Sequence, residues 1–289
     1  MLEARVEELV RTLLWEGYAL YPYTRGAAKN ATPTPFGIVY PQAYADVTAG
    51  AHDRLTLRGV AFAADEATVA AELRFLQSTG PRHEAVERSL SFPPRPLEEV
   101  ATAPLEQAFA ADGLSAVARL SAVPLAPGRF AVALRVENTT PFPSGGSGRA
   151  EALAGSLLAT LPILQLAGGR FASPRDKDVE GAAGQRSDNT CPVLASEADD
   201  VLLGATIVLP EHPQIAPESR GDLFDGTEIE EALLLHVLAL SDDERASIAA
   251  DDPAIRAMIE RAAAATPAEI LALHGRMTLS EPRTKEVTG

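Results

Sequence analysis

The run Ser115–Asn138, SAVARLSAVPLAPGRFAVALRVEN, decides the fold. Two strand-like segments flank Ala126-Pro127-Gly128, and proline followed by glycine between apolar runs marks a hairpin turn. In the second segment Phe130, Val132, Leu134 and Val136 fall on one face, with Arg135 and Glu137 on the other. That period of two belongs to a strand with one side against a core. Upstream, LTLRGVAF, VAAELRFL and VERSLSF alternate or run apolar between turn signals in the same way. Closely spaced strands with short connections pair antiparallel, so residues 54–138 are expected to form an antiparallel sheet. A short helix over 97–109 is expected to interrupt it.

Outside this region the period becomes helical. Leu2, Val6, Leu9, Val10, Leu13 and Leu14 recur at helical spacing, with Glu3, Glu7, Glu8 and Arg11 opposite. This predicts an amphipathic helix over 2–14, ended near Gly17. The composition of 149–160 predicts another helix. It is fed by the glycine-rich Pro143–Gly148, which lacks the lysine and the spacing of a phosphate-binding loop. Residues 168–192 are polar and glycine-rich, and read as an exposed excursion. VLLGATIVL, at 201–209, reads as a buried strand. Capping boxes at Asp225–Glu228 and Ser241–Glu244, and caps followed by proline at Asp252 and Thr266, open four short helices over 225–277. Residues 278–289 read as a disordered tail. The expected fold class is α+β. An antiparallel sheet from the N-terminal and middle regions would join a C-terminal cluster of short helices in one composite domain over 1–277, with strands dominating 1–224.

Composition narrows the functional classes. Forty acidic residues against twenty-five basic ones give a net charge of −15, which opposes binding to nucleic acid or anionic lipid. The single cysteine, Cys191, rules out an intramolecular disulfide or a cysteine-built metal site within one chain, and no base in a recognisable motif stands beside it to make a catalytic thiolate. The N-terminus lacks the pattern of a signal peptide and no apolar run is long enough to span a bilayer, so a cytoplasmic location is expected.

Two stretches carry the candidate chemistry. The first holds Glu16, Tyr18, Tyr21, Tyr23, Arg25, Lys29 and Asn30. All five tyrosines lie between Tyr18 and Tyr44, beside the only tryptophan, Trp15. It is either an aromatic subcore with tied hydroxyls or a ligand-facing wall with Arg25 and Lys29 as anion donors. The second is the proline-stiffened loop after 209, with Glu211, His212, Glu218, Arg220 and Asp222. His212 with Glu211 and neighbouring acids has the donor types for zinc, nickel or iron, although no metal-binding spacing accompanies them. Asp222, Asp225 and Glu228 also suit the start of a helix. No catalytic constellation is legible and no cofactor is implied. Protein binding is therefore set against a second reading, an enzyme or small-ligand protein with a pocket between Tyr18–Asn30 and Glu211–Asp225.

Several of these stretches resemble a known pattern. EGYxLYPYxxxxxKN at Glu16–Asn30, FGxxYPxAY at Phe36–Tyr44, RVENTTP at Arg135–Pro141 and HPQIAPESRGDLFDGTEIEEALLLHVLALSDDE at His212–Glu244 are similar to an uncharacterised bacterial protein family of actinobacterial type. Its members are encoded beside uptake nickel–iron (NiFe) hydrogenase genes. His212 stands where that family usually has an aromatic residue, Arg220 replaces a proline and His236 an arginine. The resemblance implies a hydrogenase-linked accessory or maturation role, with a hydrogenase subunit or maturation factor as partner.

Overall fold

The computed structural model describes residues 2–15, 36–80, 85–143, 148–176, 186–215 and 241–243, with Arg256, Glu260, Ala264 and Thr266. The chain divides into two compact units, Met1–Gln214 with Asp222–Phe224, and Ile215–Gly221 with Asp225–Gly289. In the second unit Asp242, Asp243, Arg256, Glu260 and Ala264 are helical. The remainder of the four expected helices, and the tail, lie outside the described residues.

The first unit is built on an eight-stranded antiparallel sheet. In chain order its strands are β1 (Arg54–Ser78), β2 (Ala85–Pro96), β3 (Leu105–Ala111), β4 (Leu114–Ala126), β5 (Arg129–Asn138), β6 (Leu158–Phe171), β7 (Cys191–Leu194) and β8 (Val201–Ala205). The helices are α1 (Ala4–Trp15), α2 (Gln42–Ala45), α3 (Leu97–Thr102) and α4 (Arg149–Ala154). The spatial order is β3-β4-β5-β1-β6-β8-β7, with β2 also on β1.

The strand β1 organises this arrangement. LTLRGVAF and VAAELRFL, which read as separate strands, are halves of one strand of 25 residues. Its first half pairs with β5 from Arg54 to Phe62, and its second half pairs with β2 from Thr68 to Ser78. Along its other edge β6 follows both halves, but the register jumps between Ala63 and Thr68. Opposite that jump lie Gly168, at φ +79, and Gly169, where a Cβ would stand 2.6 Å from the Phe62 carbonyl oxygen. Only glycine permits so close an approach, so these positions let the paired strands bend together.

Both faces of the bent sheet meet apolar cover in places. On the inner face Leu55, Leu57, Val69, Phe75, Leu134, Phe171 and Leu202 join the larger core. On the outer face of the β6–β8 half, Val6, Leu9, Val10, Leu13 and Leu14 of α1 pack on Leu161, Ile163, Val201 and Leu203. The expected helical stripe is therefore the buried one. Arg74 on β1 ties α1 down, donating from Nη2 to Glu7 Oε2 at 2.8 Å and from Nε to Glu72 Oε1 at 2.9 Å. Burial disfavours its charge, but the hydrogen bonds and charges of Glu7 and Glu72 outweigh burial and raise its pKa. Stability from that rise is complete below the unfolded guanidinium pKa and is lost only as pH climbs through the folded one. It is therefore constant across the physiological range.

Four further expectations need correction. The buried strand expected over 201–209 ends at Ala205, as β8, and Val208 is 81% exposed. The helix expected over 97–109 stops at Thr102, and Leu105–Ala111 is β3, because Asp112-Gly113, both at positive φ, turn it into a hairpin with β4. Asp-Gly between apolar runs is a strong hairpin signal that overrides the helical composition. The helix expected over 149–160 stops at Ala154, and Leu158–Phe171 is β6, whose run from Leu158 to Leu164 is buried throughout. Central strands covered on both faces lose the alternation that betrays a strand. Finally, 168–192 is not wholly an exposed excursion. Phe171 and Ala172 are buried, Asp188 bridges Thr56, and Cys191 opens β7.

Candidate functional site

The sequence-derived candidates Glu16, Tyr18, Tyr21, Tyr23, Arg25, Lys29, Asn30, Glu218, Arg220 and Asp222 all lie outside the described residues, and with them any pocket between Tyr18–Asn30 and Glu211–Asp225. The described part of the second stretch makes internal contacts. His212, at φ +51, gives its backbone N–H to the Leu194 carbonyl at 2.8 Å and sets Nε2 2.7 Å from Asp199 Oδ1. Ser173 donates its hydroxyl proton to Glu211. Among the described residues no group of three or more His, Cys, Asp or Glu could hold a metal ion.

Two stretches that carry the resemblance meet inside the fold. Asn138, buried at the end of β5, donates from Nδ2 to the carbonyls of Val39 and Gly155, each at 2.8 Å, and accepts the Thr140 N–H at 2.9 Å. Tyr40 and Tyr44 lie 5.0 Å apart between ring centroids, and Tyr44 meets Phe142 edge-on at 6.1 Å. Both tyrosines are half-buried, and Tyr40 packs against the core under α1. Asn138 clamps the segment after Phe36 to the end of the sheet, which gives RVENTTP and FGxxYPxAY a structural purpose.

The site that sequence reasoning missed lies on the outer face of β3, β4, β5 and the first half of β1. No described element covers this face, whereas α1 covers the other half. Register places Glu106, Arg119, Arg135, Thr56 and Asp188 in one row across the strands. Ala133 and Ser121 pair beside that row, next to Arg58. Short side chains on the floor and arginines around it leave a shallow groove of about 610 Å³. Val123, at its end, is 57% exposed.

Two features of the row cost stability. Arg119 directly opposes Arg135, and like charges facing each other across strands cost roughly 0.2–1 kcal/mol. Arg135 turns to Glu137, with Nε 2.6 Å from Oε1, whereas Arg119 has no hydrogen-bond or ion-pair partner among the described residues. Thr56 is 2% exposed and its hydroxyl has no partner among the described residues. A buried hydroxyl left without its hydrogen bond costs roughly 1–3 kcal/mol. Local conflicts of this kind concentrate where a surface serves function rather than folding.

Arg58 closes the other side, donating to Asp188 Oδ2 at 2.7 Å and to the Arg186 carbonyl at 2.5 Å. It also lines a second groove of about 400 Å³ with Ser173, Arg175, Arg186 and the free thiol Cys191. On this face, with no described element above it, Arg58, Arg119 and Arg135 stand among the acids Glu106, Glu137 and Asp188, and their guanidinium forks suit carboxylate or phosphate oxygens. No known protein-family model matches the chain, and no match is found among curated proteins. Arg119 opposite Arg135 was not legible from the hairpin turn, which by itself sets Arg119 against Val136; the bulge between Pro124 and Ala126 shifts the register. Nor was the orphan hydroxyl of Thr56, since a threonine in a strand carries no local mark of being unpartnered.

Proposed function

We propose that this chain is an accessory protein that works by binding another protein, with the outer face of β3, β4, β5 and the first half of β1, which no described element covers, as its docking surface. The observation that carries the reading is the inequality of the sheet's outer face. One half is sealed by α1, while the other presents arginines, small residues and the exposed Val123 with no described element above it. An antiparallel sheet can face water on one side, but an exposed valine among arginines suits the anchor of an interface.

The resemblance supports a partner in hydrogenase assembly, a hydrogenase subunit or maturation factor, and a cytoplasmic setting and the helical reading of 225–277 belong to the same proposal. Among the described residues no helix is long and apolar enough to cross a membrane. An affinity-tagged chain in a hydrogenase-producing host tests the reading through quantitative mass spectrometry of what it retains. Hydrogenase subunits or maturation factors are expected to be enriched, and Ala133→Glu with Val123→Glu is expected to abolish the enrichment. Equal retention by the variant, or no hydrogenase protein retained at all, would overturn it.

A further inference from the structure

We infer that Thr56, Arg119 and Arg135 form a carboxylate-binding site, and that the occupant is an aspartate or glutamate side chain on an acidic segment of the partner protein. This rests on the protein-binding reading and names the chemistry of its partner. Three observations converge on one row of the sheet. Arg119 is an arginine without a partner among the described residues, placed directly opposite Arg135. Thr56, directly opposite Arg135 on its other side, lines the same groove with a buried, unpartnered hydroxyl. The floor beside them is made of Ala131, Ala133 and Ser121, short enough for an extended chain to lie across the strands.

An incoming carboxylate answers both conflicts together. Its two oxygens accept from the guanidinium groups of Arg119 and Arg135, relieving their repulsion, and one of them accepts from the Thr56 hydroxyl. Glu137, which holds Arg135 in the unbound state, is displaced as a competitor of the same chemistry. Carboxylate is favoured over phosphate because the chain already supplies carboxylates to arginines of this groove, Glu137 to Arg135 and Asp188 to Arg58, and the apolar floor suits a peptide rather than a small hydrated ion. The site is built for one acid among several, with Arg58 ready for a second along the groove.

The test titrates the full chain at low salt with a synthetic hexaglutamate peptide and, separately, with inorganic phosphate, following arginine Nε–Hε resonances. Hexaglutamate is expected to shift the signals of Arg119 and Arg135. Arg119→Gln and Thr56→Val are each expected to weaken its binding by about tenfold, and Thr56→Ser to retain it. Thr56→Val keeps the shape of the side chain, and Arg119→Gln is expected to melt no lower than the wild type, so neither loss reflects unfolding. Unchanged binding in Arg119→Gln, or phosphate binding with no response to the peptide, would overturn the inference. Partner capture by the wild-type chain that persists in Arg119→Gln would defeat the carboxylate site while leaving the docking face standing. Absence of capture by the wild type would defeat the docking face itself.

Discussion

Asn138 shows how one side chain can hold distant segments. Its amide joins the carbonyls of Val39 and Gly155, and its oxygen accepts the Thr140 N–H, with the residue only 4% exposed. Asn138→Ala would take the Gly155 carbonyl and the Thr140 N–H from their partner, while the Val39 carbonyl keeps the Leu157 N–H, at roughly 1–3 kcal/mol for each unsatisfied group with partial relief from water. A fall in the urea midpoint corresponding to about 2–4 kcal/mol is expected. An unchanged midpoint would mean the clamp contributes nothing. The opposite balance holds at Arg119, where removing the like charge is expected to cost nothing in stability. Asn138 was recognisable in the sequence only as part of RVENTTP; its partners come from parts of the chain far away in sequence, so no local period could name them.

At the scale of elements, strand pairing overrode local composition. EQAFAADG and SLLATLPIL carry good helix formers, yet both became strands because the sheet offered each an edge and an apolar face. The bulge between Pro124 and Ala126 is equally consequential. Leu125 is the extra residue there, and were it paired in register with Phe130 instead of bulged, Arg119 would oppose Val136 rather than Arg135. A one-residue slip moves a strand's side chains to the other face, so the bulge decides whether the groove exists. The bend in β1 has its own test. Gly169→Ala would put a Cβ 2.6 Å from a backbone oxygen that cannot step aside. Thermal melting should show a loss of about 1–3 kcal/mol, typical of steric overpacking. A wild-type melting curve would show that the two strands can separate there at no cost.

Across the whole molecule the charge distribution is uneven. A net charge of −15 coexists with Arg58, Arg119 and Arg135 on one face, and a partner docking there meets guanidinium groups set beside Glu106 and Glu137 on an acidic body. Rim charges of this sort act at solvent-screened range, about 10 Å at 0.1 M salt, so capture of the partner should weaken steadily as salt rises from 0.05 to 0.5 M, to choose a range of roughly threefold change in that distance. Salt-independent capture would place the binding energy in apolar contact instead. The sequence by itself determined the hairpin at Pro127-Gly128, the inward face of Phe130, Val132, Leu134 and Val136, the buried stripe of α1 and the acidic balance, because each depends on neighbours within a few residues or on simple sums. Only the tertiary structure decided that two apparent strands are one bent β1, that β6 is buried on both faces, and that Thr56, Arg119 and Arg135 share a row. Those outcomes depend on register between strands far apart in the chain, which the energy of the assembled core selects and no short window of residues contains.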